Sequence, residues 1–401
     1  MRILVHDYAG HPFQAQLSRE LARRGHTVVH SFRAKEGGRR GALERAAADP
    51  GGLTFAPILL GARASQQRGI ARRIRHELAY AAALVGLARR VRPDVVISAN
   101  TPLFVQRRLL RASHASGAAF IYWMQDRISE SQGRRLRRRR RVIGVPLAYG
   151  FRWLERSSLT NADAVVAVSP DFVETLTEYG VRAARIVVIP NWAPLDEVVP
   201  APRANGWATE HGLTHAFVFL YAGSLGLKHD PLQLVEVAQA LPEALVVVVA
   251  EGPGADLVRS EAMERAISNV VVLPSQPYDR LSEVLASGDV LVALLDRAGG
   301  AYSIPSKILT YLCTARPILA SVPSTNLAAR VVLESGGGVV VEPGSVDDWV
   351  AAARRLSSGS DLRQRLANSG REYALHTFHI GRIADEFEAV IGRARAGSDD
   401  T

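Results

Sequence analysis

Of the 49 basic residues in the chain, lysine is found only at 35, 228 and 307, and the rest are arginine. In a composition that turns nearly every basic position into Arg, a retained Lys marks a place where a compact point charge serves better than a planar fork. Lys35, in AKEGGRR, reads as an ordinary exposed loop residue. The other two sit where a β-branched run gives way to a helical pattern. In YAGSLGLKHDP (221–231), Gly223 and Gly226 form a Gly-x-x-Gly turn before a helix that starts near Pro231. Such a turn lets backbone N–H groups approach an anion, with Lys228 adding charge, or simply turns the chain from strand to helix. It is not a Walker loop, because Gly-Lys-Ser/Thr is missing. In GAYSIPSKILTYLCTARP (300–317), Pro305 suits the first turn of a helix, and Ser303 and Ser306 place hydroxyls beside its N-terminus. The helix dipole there favours an anion, so Lys307 in that turn is unfavourable unless an anion is bound. A crowded diphosphate is the anion that a slim ammonium suits best.

Other chemistries leave weaker marks. The single Cys313 excludes a disulfide framework and a multi-cysteine zinc site, and its apolar run YLCTA reads as a buried free thiol. No Asp-x-Asp motif ends a strand: the pairs at 347–348 and 399–400 read as surface and tail, and no metal or other cofactor is expected. A dehydrogenase is disfavoured, since EGPGADL is no Gly-x-Gly-x-x-Gly.

The elements that must position these residues alternate short apolar runs with longer amphipathic stretches, the pattern of doubly wound α/β units. In the first half the strand candidates are RILVHDY, HTVVHSF, DVVISAN, AAFIYWMQ, AVVAVS and RIVVIPNW. In the second half they are FVFLYAGS, ALVVVVAEG, VVVLPS, VLVALL, PILASV and GGGVVVEP. Several are unbroken apolar runs, as in parallel sheets covered on both faces. The Pro-, Ala- and Gly-rich PNWAPLDEVVPAPRANGWATEHG separates the two series as an inter-domain linker, and FHIGRIADEFEAVIGRARAG reads as a helix with Ile380, Ile383, Phe387 and Ile391 on one side. A length of 401 residues suits two domains of about 200 residues each. Two such sheets bind ligands at the carboxyl ends of their strands, in a cleft between them.

AVVAVSPDFVETLTEYGV…IVVIPNW, the YAGSLGLKHDP loop, VVAEGPGADL and IPSKILTYL…RPILAS together resemble the retaining glycosyltransferases of family 4, nearest to the bacterial O-antigen, capsule and exopolysaccharide type. The resemblance spans nearly the whole chain. It implies the GT-B fold, two Rossmann-like domains facing each other across a cleft. Residues 1–195 would bind the acceptor, with the helix 377–395 packing back on them, and 196–376 would bind a nucleotide-diphosphate sugar. By position, Lys228 matches the basic residue on the donor diphosphate, and Ser303 and Ile304 match the backbone-donor loop on the phosphate. Ser224 stands where many members carry Arg, and Glu251 of VVAEGPGADL falls among the donor-binding residues. The Glu-x7-Glu signature would fall at Tyr302 and Thr310, so a bidentate carboxylate contact to the ribose is lost, and Thr310 offers one hydrogen bond. Ser306 and Lys307 belong to a Pro-Ser-Lys subgroup pattern that takes over part of the phosphate binding. For the acceptor, the resemblance points to Gly10 and His11 in the first strand-to-helix turn, although His11 also reads as a plain loop histidine. It points as well to Gln125 and Asp126, with Asp126 orienting the acceptor or the sugar. Hexosyl or N-acetylhexosaminyl transfer by front-face attack is implied, the donor phosphate taking the acceptor proton. The alternatives are a nucleotide-sugar epimerase of the same fold and an idle nucleotide-binding member.

Charge divides the chain: 32 basic against 14 acidic side chains in residues 1–195, and 17 against 25 in 196–401. Much of the excess is QGRRLRRRRRVIGVPLAYGFRWLERS (132–157), where Arg137, Arg138, Arg139 and Arg140 precede Leu147, Tyr149 and Trp153. The run reads as an interfacial segment on anionic lipid, as a nonspecific nucleic-acid contact, or as a solvated loop. The lipid reading agrees with the lipid-linked acceptors at the inner leaflet that the family resemblance implies. MRILVHDYAG is no signal peptide and no segment reaches the length of a spanning helix, so a cytoplasmic, peripheral location is expected.

Overall fold

The computed structural model describes residues 1–34, 43–60, 70–130, 132–133, 141–226, 229–296 and 306–398. It divides into two compact units, Met1–Pro190 with Ile380–Thr401, and Asn191–His379.

The first unit is built on seven strands: β1 (Arg2–Asp7), β2 (Thr27–Arg33), β3 (Leu53–Ile58), β4 (Val95–Ala99), β5 (Ala119–Met124), β6 (Ala164–Ala167) and β7 (Ile186–Val188). All pairings are parallel, in the order β3-β2-β1-β4-β5-β6-β7, and Ile3 lies opposite Val28 on one side and Val95 on the other. The runs VVISA, AFIYWM and AVVA are buried along their whole length, as helices on both faces require. β3 was absent from the strand candidates. Its sequence LTFAPI carries Pro57, which argues against a central strand, and the sheet places it at the edge, where a missing N–H costs no ladder bond.

Helix Pro12–Arg23 buries Phe13, Leu17 and Leu21 and gives way at Gly25, whose φ of +89° is the left-handed conformation that ends helices. The C-terminal helix Ile380–Ser398 belongs to this unit. Ile383, Phe387 and Ile391 are buried while Ile380 is half-buried, and the Phe387 ring meets Trp123 of β5 edge-on at 4.8 Å between centroids. Arg24 ties the helix down by bonds of 2.6 Å to both Asp385 and Glu388.

In the second unit all six apolar runs of the second half form strands: β8 (Phe217–Ala222), β9 (Ala244–Val249), β10 (Val270–Leu273), β11 (Val290–Leu294), β12 (Ile318–Ser321) and β13 (Gly338–Val341). Their order is β10-β9-β8-β11-β12-β13, again parallel. Phe219, Tyr221, Val246, Val248, Leu234 and Trp349 belong to its core. Much of the expected linker is not a free tether. Asn205 caps a short helix, Gly206–Glu210, that buries Trp207 with its indole N–H on Gln276, and Arg203 pairs with Asp289 at 3.1 Å. A tryptophan and an arginine give even a Pro-rich stretch enough to anchor it.

Both sheets reverse direction at one point, where β1 neighbours β4 and β8 neighbours β11. Ligands of open parallel sheets bind outside the carboxyl ends of the strands at such a reversal.

Candidate functional site

In the second unit the reversal is occupied by the glycine loop. Tyr311, fully buried on helix Ser306–Leu312, donates its hydroxyl to Ala222 O and accepts from Ala222 N, each at 3.1 Å, clamping the end of β8. Gly223 follows with φ +115°, a conformation glycine adopts without strain, and its N–H donates to Val249 O at 3.0 Å. Tyr221 donates to Ser224 O at 2.7 Å, Gly226 N donates to His229 Nδ1 at 3.0 Å, and Gly254 N donates to Leu225 O at 3.1 Å. The last contact requires glycine, because a Cβ at 254 would stand 2.4 Å from Leu225 O. Burial pushes the Tyr221 and Tyr311 phenols well above their usual range, so both remain neutral hydrogen-bonding groups. The loop is thus braced from beneath while Gly223 and Ser224 themselves are exposed.

Lys307 lies under this loop. Its stem leaves the first turn of helix Ser306–Leu312 half-buried, but Nζ is buried 3.6 Å from the centroid of the Tyr221 ring, with no hydrogen-bond partner among the described residues. A cation over an aromatic face is attracted by the ring quadrupole, which replaces part of the lost hydration. Burial nevertheless lowers the Lys307 pKa to about 7. The ammonium stands 3.8 Å from where a Cβ on Gly223 would be, so the bare backbone there keeps the space above it open.

The remaining residues expected on this side fall as follows. Ser306 is exposed, and the Thr310 hydroxyl donates back to Ser306 O at 3.4 Å within its own helix. Glu251, exposed after β9, accepts from Ser275 N at 3.2 Å and so braces the loop after β10. Lys228, Ser303, Ile304 and Pro305 lie outside the described residues, as does Tyr302. Cys313 is a buried free thiol.

In the first unit the reversal brings Gly10 and His11 together with two residues the sequence reading passed over, Asp7 at the end of β1 and Asn100 just after β4. The Asp7 carboxylate is wholly buried and accepts from Ala9 N at 3.0 Å, from His11 N, from Asn100 Nδ2 at 3.1 Å and from His11 Nδ1 at 3.1 Å. Burial alone would raise its pKa, but the His11 side chain and the surrounding N–H groups outweigh that and hold it below the usual carboxylate range. Gly10 turns the chain with φ +70° and Asn100 with φ +53°. A polar residue directly after an apolar strand was the available signal for both, although it does not say which strands are neighbours. Beneath this turn His6 bonds Ser31 at 2.7 Å and His30 bonds Ser18 at 2.8 Å; burial lowers both to about 4, so they are neutral core groups. Gln125, half-buried, and Asp126, exposed, follow β5 at the same edge. Among the described residues no cluster of three or more His, Cys, Asp or Glu side chains could hold a metal ion.

Helix Arg141–Thr160 presents Tyr149, 71% exposed, and Trp153, 59% exposed and covered on one face by the Arg107 guanidinium at 4.7 Å. Arg137, Arg138, Arg139 and Arg140 lie outside the described residues. Among those described, no helix is long and apolar enough to cross a membrane.

Comparison with known proteins accounts for both halves. Residues 10–192 match the family model described as glycosyl transferase 4-like domain, and 209–373 match glycosyl transferases group 1. A protein of Escherichia coli K12 assigned as the colanic acid biosynthesis glycosyl transferase WcaI is 27% identical over 307 residues, covering 75% of this chain and 74% of its own. The glycosyltransferase so assigned in Pseudomonas aeruginosa, WbjE, is 24% identical over 280 residues, 68% of this chain and 67% of its own. Among solved structures, sucrose-phosphate synthase from Thermosynechococcus elongatus superposes with a TM-score of 0.75 at 14% identity, covering 99% of each chain. HepE of Anabaena, solved with UDP and glucose, gives 0.72 at 15% identity, covering 98% of this chain and 99% of its own. With a 4-like domain followed by a group 1 domain, two parallel α/β sheets, and relatives of the bacterial polysaccharide type, the chain belongs to the GT-B glycosyltransferases.

Proposed function

We propose that the protein transfers a sugar, with retention and without a metal, from a nucleotide-diphosphate sugar bound at the glycine loop of the second unit to a glycan or lipid-linked acceptor bound by the first. One observation carries this reading: the Lys307 ammonium, buried against the Tyr221 ring and without a hydrogen-bond partner among the described residues, beneath an exposed, braced glycine loop at the sheet reversal. A cation held that way in a low-dielectric place is offset best by an anion on the loop above it. Breaking the sugar–diphosphate bond develops charge on the phosphate oxygens, and a fixed cation with fixed N–H groups stabilises it without reorganising. Lys228, Ser303 and Ile304 are proposed to complete this phosphate site, with Thr310 toward the ribose. UDP is the first nucleotide to test, because HepE was solved with UDP and with UDP-glucose. Polysaccharide assembly is the expected context, given the assignment of WcaI to colanic acid.

The test is a thermal-shift screen against UDP, GDP and dTDP, followed by turnover of the matching sugars with chelator present and assignment of the product anomer. A protein that no nucleotide stabilises would sink the proposal. Loss of turnover in chelator would sink its metal independence, and an inverted anomer its stereochemistry.

We also propose that helix Arg141–Thr160 rests on anionic lipid at the inner face of the membrane, each nearby Arg adding about 1 kcal/mol. Tyr149 and Trp153 are exposed where an interfacial helix carries its aromatics. Flotation with anionic and with neutral liposomes at low salt checks this; no anionic-lipid dependence refutes it.

A further inference from the structure

Helix Arg141–Thr160 leaves a cavity on one side. Val145, Ala148, Tyr149 and Arg152, spaced i, i+3, i+4 and i+7, make one stripe along it, and all four line this space. Thr175 and Glu178 of helix Asp171–Glu178, with Tyr179 that caps it, line the same space from another wall. Stripes of that spacing ordinarily interlock with a neighbour and leave no gap. One turn beyond Arg152 the gap does close: Arg156 Nε donates to Tyr179 O at 2.8 Å, and Glu155 accepts from both the N–H and the hydroxyl of Ser129. Before that point about 320 Å³ stays open, enough for a small polar molecule.

Three charged side chains line the cavity, and two of them are unanswered. Glu130 is paired with Arg127 at 3.3 Å. Arg152 lies over the Tyr179 ring, 5.3 Å from its centroid, but its guanidinium makes no hydrogen bond or ion pair with any described residue. The carboxylate of Glu178, exposed like Arg152, makes none either. The cavity therefore offers one cation and one anion that do not reach each other. A ligand of a single sign is attracted by one and repelled by the other, whereas a ligand carrying both signs satisfies both. The same helix exposes Val145, Leu147 and Tyr149 beside the cavity. A zwitterion dissolved in water has no use for apolar neighbours, but one attached to acyl chains does.

Resting on the reading that this helix lies on a membrane, we propose that the cavity takes the headgroup of a zwitterionic phospholipid, with its phosphate on Arg152 and a primary ammonium on Glu178. A primary ammonium has three N–H donors for the carboxylate, and a quaternary one has none. Anionic lipid draws the helix to the surface from a distance, and the cavity then selects one neighbouring lipid by contact.

The test floats the full chain with vesicles of one fixed phosphatidylglycerol content, the remainder being phosphatidylcholine in one set and phosphatidylethanolamine in the other. Binding to the ethanolamine set is expected to be about fivefold tighter, the upper end of what one exposed ion pair contributes. Glu178→Gln should abolish that preference while binding the choline set at least as well, because it removes a negative charge. Arg152→Gln should also abolish the preference but bind both sets more weakly. General attraction to an anionic surface moves the two variants in opposite directions, whereas a shared headgroup site makes both lose the preference. A second arm titrates the 15N-arginine-labelled chain with soluble glycerophosphoethanolamine, the Arg152 Nε–H signal being identified by its loss in Arg152→Gln. That signal should shift, and should stay in place in Glu178→Gln. No preference in the unaltered protein, or one that survives Glu178→Gln, would overturn the lipid assignment. A still Arg152 signal would overturn the site itself. Absence of binding to either vesicle set would instead count against the membrane reading, and the soluble arm would still decide whether the cavity takes a zwitterion.

Discussion

Lys307→Met separates what the buried ammonium does for the ligand from what it does to the fold. The substitution keeps the length of the stem but removes the charge that stands over the Tyr221 ring. If that charge meets a diphosphate, a charged hydrogen bond worth about 1.5–3 kcal/mol is lost, and UDP should bind roughly 10- to 150-fold more weakly. Uridine, which has no phosphate, should bind almost as before. Stability should move the other way. Lowering the pKa from 10.5 to about 7 disfavours the buried cation by at most about 5 kcal/mol, and the Tyr221 face returns about 2. The free protein should therefore gain on the order of 2–3 kcal/mol, several degrees in Tm. The sign follows from the direction of the shift. Between pH 7 and 10.5 the unfolded lysine binds more protons than the folded one, so the folded protein is penalised in full below pH 7 and not above pH 10.5. The gain in the variant should be largest at pH 6 and fade toward pH 10. Calorimetric titration with UDP and uridine, and thermal melts at pH 6, 8 and 10, measure all of this. Equal losses for UDP and uridine, or a variant less stable than the parent at pH 6, would refute the reasoning.

Other perturbations follow from single contacts. Gly254→Ala forces a Cβ to within 2.4 Å of Leu225 O, so it should loosen the glycine loop, lowering both Tm and UDP affinity. Phe387→Ala removes a wholly buried ring from Trp123 and should cost about 3–5 kcal/mol, seen as an early denaturant midpoint of the first unit. Glu155 is raised to about 7 by burial, against the bonds it accepts from Ser129, so its stabilising contribution is full below pH 4.5 and is lost as pH rises through 7. Glu155→Gln should therefore change stability little at pH 4.5 and raise it at pH 8, by up to about 3 kcal/mol, in melts across that range.

The strands were legible because their signal is local. β-branched runs such as VVISA and ALVVVV cannot be mistaken for loops, and the one strand missed, LTFAPI, is the one whose proline contradicts its neighbours. Lys307 was legible as an anomaly, since a cation in the first turn of a helix is out of place in any fold. What it does with its charge was not. The stem carries Nζ onto the ring of Tyr221, a residue on another element, and nothing in the spacing of IPSKILTYL indicates that. Asp7 and Asn100 escaped notice for the same reason. Each is an ordinary polar residue at the end of a strand, and they become a site only because β1 and β4 are neighbours.

Composition, periodicity and a few loops thus determined that this chain builds two parallel α/β sheets, and they singled out the glycine turn and Lys307 as the place proposed for an anion, because those properties are carried by adjacent residues. Tertiary structure alone decided which side chains meet across the two sheet reversals. It set the Lys307 ammonium against Tyr221 and the Asp7 carboxylate against His11 and Asn100, because strand order brings together residues that lie 93 positions apart, and burial at Lys307 and the donated hydrogen bonds at Asp7 then set their charge.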